Sequence, residues 1–185
     1  MIEFHPRLEE LVTALGREQA VELADFATED KSWVPALFDA CKYPKPINRN
    51  RKAAWVIHHI FLRHPEVIEP RVEQLIDVLD ASEDSSVHRE LLKVIVEIKI
   101  DNTEWMKFSP MLFDLGVGLL FDETQTKGMH YLAIRLSERF MSSENERQEA
   151  VEAIRQMLTC SYTGERSMCS AAERAIKRIE NRKLN

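Results

Sequence analysis

A chain of 185 residues suits one domain or one short array of repeats and is long enough to bury a substantial core. With only 5 Gly and 7 Pro against 30% charged residues, its composition favours a helical protein over a sandwich, a barrel or a disordered chain. The net charge of −6 argues against indiscriminate nucleic-acid binding by the molecule as a whole, although it says nothing about one face. Cys41, Cys160 and Cys169 are odd in number and form no C-x-x-C, which argues against a disulfide framework or a structural zinc site; they read as isolated, buried or half-buried thiols. The opening MIEFHPRLEELV has neither a basic leader nor an apolar signal core, and no run approaches the roughly 20 apolar residues that cross a bilayer. A cytoplasmic protein with no membrane contact is expected.

Apolar residues recur at i, i+3, i+4 and i+7, and polar breaks of a few residues separate the runs, so the chain reads as helix after helix. In chain order the helices are expected at 6–15, 17–28, 32–41, 49–63, 67–80, 86–100, 110–121, 127–141, 144–159 and 166–182. Pro6 after His5 and Pro110 after Ser109 fit the first helical position behind an N-cap. Ser143 with Glu146 fits a capping box. The segment DNTEWMKFSP, 101–110, is the longest expected break, with Trp105 and Phe108 plugging the gap between hairpins. Gly116 and Gly118, in an apolar run, mark a close approach of two helices rather than a phosphate loop.

Short links imply antiparallel pairs, and the pairs repeat. Ala53, Leu91, Leu132 and Ala171 fall in register with steps of 38, 41 and 39 residues. The next column is Ala54, Leu92, Ala133 and Ala172, and three positions later come Ile57, Ile95, Leu136 and Ala175. These columns make one helical stripe that a two-helix unit can bury only by stacking on its neighbours. The period near 40, the two-helix unit and segments such as RKAAWVIHHI and VHRELLKVIVEI resemble the HEAT family of helical repeats, in the divergent form of small bacterial helical-repeat proteins. The resemblance covers about 32–182 and implies an all-α, right-handed α-α superhelix (solenoid) of about five antiparallel hairpins, a single domain over 1–185 with 1–31 as an N-terminal cap. The tetratricopeptide and ankyrin signatures are absent.

Charge follows the repeat. The second-helix segments 49–64, 87–99, 127–141 and 164–185 together carry +10, and the rest of the chain carries −16. In HEAT-like arrays the second helices line the inner surface, so the resemblance implies an acidic back and a basic concave groove able to attract an anionic partner. Balancing of charge between adjacent helices is the alternative account. The register offers Arg51, Arg89 and His130 in one column; Val56 and Val94 giving way to Arg135 and Arg174 in another; and Arg139 and Arg178 one turn on. Arg51, Trp55, His59 and Leu62 make a separate stripe, in which His59 shares a charged column with Glu97, Glu138 and Lys177. His58, in a column with Val96, Ser137 and Ile176, is expected to be half-buried and hydrogen-bonded.

Patterns for chemistry are missing. No histidine has an acid three residues before it, and there is no H-E-x-x-H, no adjacent His-Asp pair, no G-x-S-x-G and no Gly-rich phosphate loop. No metal, cofactor or catalytic residue is expected. The function expected is a non-enzymatic binding or scaffold module that engages an acidic segment of a partner protein through Arg51, Trp55, His59, Arg89, Arg135, Arg139, Arg174 and Arg178. A nucleic-acid-binding protein, or a base-repair enzyme similar to the HEAT-like DNA glycosylases, is the alternative use of the same groove.

Overall fold

A computed structural model of the chain describes residues 5–11, 16–43, 48–99 and 103–182, with the side chains of 103 and 104 set aside. Among these residues there are helices and no strands. The chain divides into two compact units, Met1–Lys99 and Ile100–Asn185.

In the first unit the helices are α1 (Arg17–Asp25), α2 (Trp33–Lys42), α3 (Arg49–Arg63), α4 (Pro65–Ile68), α5 (Val72–Ala81) and α6 (Ser85–Ile95). They stack as hairpins in two layers. A 3-10 turn at Pro6–Glu9, α2 and α5 lie side by side in one layer, while α1, α3 and α6 lie side by side in the other. In the second unit α7 (Thr103–Phe121) pairs with α8 (Lys127–Phe140), and α9 (Glu144–Ser161) with α10 (Arg166–Asn181). There α7 packs on α9 and α8 on α10, so first helices meet first helices and second helices meet second helices.

The apolar columns explain the stacking. Ala54, Leu92, Ala133 and Ala172 are all fully buried, as are Ile57, Ile95, Leu136 and Ala175. Small residues let the second helix approach its hairpin partner, and the β-branched and leucine side chains fill the layer between. The column Val56, Val94, Arg135, Arg174 divides: both valines are buried, and both arginines are exposed. Val56 lies on α3, which is flanked by α1 and α6 within its layer.

Several helix ends follow their sequence signals. His5 Nδ1 accepts the Arg7 backbone N–H at 3.2 Å, with Pro6 at the first position of the turn. Ser143 Oγ accepts the Glu146 N–H at 3.2 Å and Glu146 returns the bond to the Ser143 N–H at 2.9 Å, completing the capping box. Four expectations are corrected. The run expected as one helix over 67–80 is interrupted by a 3-10 turn at Glu69–Arg71, because Pro70 has no N–H for the helical ladder. The expected break over 101–110 is helical from Thr103, with Pro110 inside α7. Pro110 and Met106, whose carbonyl loses its partner to the proline, are exposed, so water can satisfy that carbonyl. Trp105 is buried against Phe140, ring centroids 6.5 Å apart, and ties this first turn to the core. Ser109 caps no helix; its hydroxyl donates to the Phe140 carbonyl at 3.0 Å. The helix expected over 6–15 is a short 3-10 turn in its described part, and 12–15 lies outside the described residues.

Candidate functional site

On α3 the exposed strip runs Arg51, Trp55, His59, Leu62, the order the helical spacing dictates. Trp55 and His59 are half-buried and meet edge to face at 5.2 Å, and Leu62 is 60% exposed. Arg51, Lys52 and Trp55 of α3 join Ser86, Arg89 and Glu90 of α6 around a shallow cleft of about 290 Å³. The structure therefore brings Arg51, Trp55 and Arg89 together and sets His59 beside them.

Two carboxylates organise this surface, and both belong to α6 or its cap. Asp84 accepts the Ser86 backbone N–H at 2.9 Å through Oδ1, capping α6, while its Oδ2 accepts Arg51 Nε at 2.7 Å and Asn50 Nδ2 at 3.2 Å. Burial pushes the Asp84 carboxyl up, but these hydrogen bonds outweigh it and hold the group below the usual range. Glu90 is buried, with His58 Nδ1 at 3.0 Å from Oε2 and Lys93 Nζ at 2.8 Å from each carboxylate oxygen. Arg89 Nε stands farther off at 3.4 Å. Burial again opposes ionisation, and the bonds from His58 and Lys93 win, bringing the carboxyl down to about 2. His58 is thus half-buried and hydrogen-bonded, as its column implied. His59 differs: burial, with the nearby charges of His58 and Arg17, holds its imidazole below the usual range, so it is an uncharged ring at neutral pH.

In the second unit Arg135, Arg174 and Arg178 are exposed and Arg139 is half-buried, its guanidinium 5.9 Å from the Phe140 ring centre. Arg178 grips Glu138 with two bonds, Nε to Oε1 at 2.6 Å and a terminal nitrogen to Oε2 at 2.7 Å. Arg174 has no hydrogen-bond or ion-pair partner among the described residues. The sequence groups His130 with Arg51 and Arg89, and here the structure corrects it: His130 is fully buried. Its Nε2 donates to the Asp122 carbonyl at 3.1 Å and its Nδ1 takes the Tyr162 hydroxyl at 2.8 Å, so it fixes the α7–α8 turn against α9.

Part of the charge sorting resolves as ion pairs between second helices of neighbouring hairpins. Arg63 of α3 bonds Asp25 at the end of α1 with both oxygens, at 2.6 and 2.8 Å, repeating the Arg178–Glu138 arrangement. Glu90 itself was not legible as a site residue. Its signal was an acid at the edge of the apolar stripe, directly before Leu91, where a buried charge requires a partner. Cys41 is buried, which pushes its thiol up, whereas Cys160 is exposed and Cys169 half-buried. Among the described residues no group of three or more His, Cys, Asp or Glu could hold a metal ion, and no helix is long and apolar enough to cross a membrane.

A family model described as a HEAT repeat domain matches residues 8–179. A comparison with curated proteins gives no match. HEAT repeats generally act as protein-interaction scaffolds and are typically non-enzymatic. The match spans both compact units, and its two-helix repeat is the hairpin from which each is built; the chain belongs to the HEAT repeat family.

Proposed function

We propose that the protein is a non-enzymatic binding module whose second-helix surfaces engage an acidic segment of a partner protein. Arg51, Trp55, His59 and Arg89 would serve on the first unit, and Arg135, Arg139, Arg174 and Arg178 on the second. The observation that supports this reading most is the convergence of Arg51, Trp55 and Arg89 on one cleft. Tryptophan and arginine are the residue types in which interface energy concentrates. A guanidinium already bonded through Nε, as in Arg51, keeps its terminal nitrogens for a second carboxylate.

The test is a fluorescence-anisotropy titration of labelled acidic peptide, single-stranded and duplex DNA, and RNA, at graded salt. The acidic peptide is expected to bind, and Arg51→Glu with Arg89→Glu to weaken it by about 30-fold or more. Binding of nucleic acid alone, with a log-log salt slope near 0.9 per phosphate on duplex DNA, would replace this reading with the nucleic-acid one.

A further inference from the structure

The α3 strip is more selective than a basic surface needs to be. It is a ridge of side chains, Trp55, His59 and Leu62, spaced by four and three residues, and at neutral pH none of them is charged. Leu62 at 60% exposure has no packing role that explains it. Cations stand on either side. Arg89 lies across the cleft on α6, and Arg51 heads the ridge. Arg17 of α1, on the opposite flank of α3, is exposed, lies near enough to His59 to depress it, and has no partner among the described residues.

An apolar ridge between cationic flanks is complementary to an apolar ridge between anionic flanks. The occupant's backbone matters as much. The exposed faces of α3 and α6 offer no Asn or Gln to pair a main chain, since Asn50 is buried on Asp84. The carboxylates of Asp84 and Glu90 already accept bonds from their own neighbours. An extended segment laid here would find few acceptors on the surface and leave its N–H groups to water, whereas a helix satisfies its own. From Arg51 to Leu62 the strip is about 16 Å long, three turns of helix.

Resting on the binding reading above, we infer that the α3 strip is the primary seat and that its occupant is an amphipathic acidic helix of a partner protein. Its apolar residues at i, i+4 and i+7 lie on Trp55, His59 and Leu62, and its carboxylates reach Arg51 and Arg89 on one flank and Arg17 on the other.

The experiment follows tryptophan emission of the full chain on titration with four synthetic probes. They are an acidic helical peptide with leucines at i, i+4 and i+7, a scrambled peptide of the same composition, an acidic peptide without leucine, and single-stranded DNA. Trp33 and Trp105 are buried, so a change in emission reports Trp55. The amphipathic peptide is expected to shift the emission and to bind at least about 10-fold more tightly than the scrambled one, a difference of about 1.4 kcal/mol. Leu62→Glu, at an exposed position where the fold tolerates charge, is expected to weaken it by about 30-fold with an unchanged thermal melt. Equal binding of the scrambled or leucine-free peptide, binding without an emission change, or indifference to Leu62→Glu would overturn the helix inference while leaving the acidic-segment reading standing. Failure of every acidic peptide, or binding of DNA alone, would overturn both.

Discussion

Gly116→Val is expected to destabilise the second unit by about 3 kcal/mol or more, and Gly116→Ala by about 1–2 kcal/mol, against the helix propensity that alanine would add. A Cβ at Gly116 would sit 2.6 Å from Ser137 Oγ, 3.0 Å from the Ser137 backbone nitrogen and 3.3 Å from the Ala133 carbonyl oxygen. The hydroxyl could turn away, though it would give up its 3.0 Å bond to Ala133. The backbone nitrogen cannot turn, so α7 and α8 would have to separate along a tightly packed line. Gly118 is the control. A Cβ there meets nothing within 4 Å, and Gly118→Ala is expected to stabilise α7 by about 0.5–1 kcal/mol. Urea denaturation of the three variants checks the order Gly118→Ala above the unsubstituted chain, above Gly116→Ala, above Gly116→Val.

Glu90→Ala is expected to cost about 3 kcal/mol, since it strands His58 and Lys93 beside a hole where a buried carboxylate had satisfied both. Glu90→Gln keeps the shape and should cost less, about 1–2 kcal/mol. The pH dependence separates the charge from the packing. The folded carboxyl sits at about 2 against an ordinary value of 4.5, so the unfolded chain takes up a proton first as pH falls. The stabilisation from this group is complete above about pH 4.5 and is lost between there and about pH 2, to the extent of about 3 kcal/mol. Acid unfolding of Glu90→Gln should lack that component. An identical acid profile in both proteins would show that Glu90 is not held ionised by its partners.

The hairpin stack was legible because its signal is carried by many residues at once. Alanine at 53, 54, 133 and 172 and aliphatic side chains at 57, 95 and 136 define one buried stripe, and no single substitution among them would have erased the period. What the periodicity could not show was decided by single contacts. Pro110 looked like a helix start, yet Trp105 is buried five residues earlier and carries the helix back to Thr103. Gly116 and Gly118 looked alike, but they lie on opposite sides of α7, one against Ser137 and the other in open space. His130 shared a column with Arg51 and Arg89; what separates them is Tyr162, which lies 32 residues away and offers its hydroxyl to a buried ring.

The candidate surface divides in the same way. The strip Arg51, Trp55, His59, Leu62 follows from helical spacing alone, so it was readable in full. Its electrostatics were not, because they depend on carboxylates from other helices. Asp84 takes part of Arg51, Glu138 takes Arg178 in a two-bond grip, and burial makes the His59 imidazole less basic still. Formal charge counted along the chain overstates the basicity of these faces, which shifts weight from bare charge to Trp55 and the arginines' remaining donors.

Calorimetric titration of an acidic helical peptide into the unsubstituted chain and into two double variants, Arg51→Glu with Arg89→Glu and Arg135→Glu with Arg174→Glu, tests the central claim most directly. The predicted result is loss of about 30-fold or more in affinity for the first pair and a smaller loss for the second, at a temperature where all three proteins remain folded. Binding of equal strength in all three proteins would contradict the claim that the second-helix surfaces recognise an acidic partner.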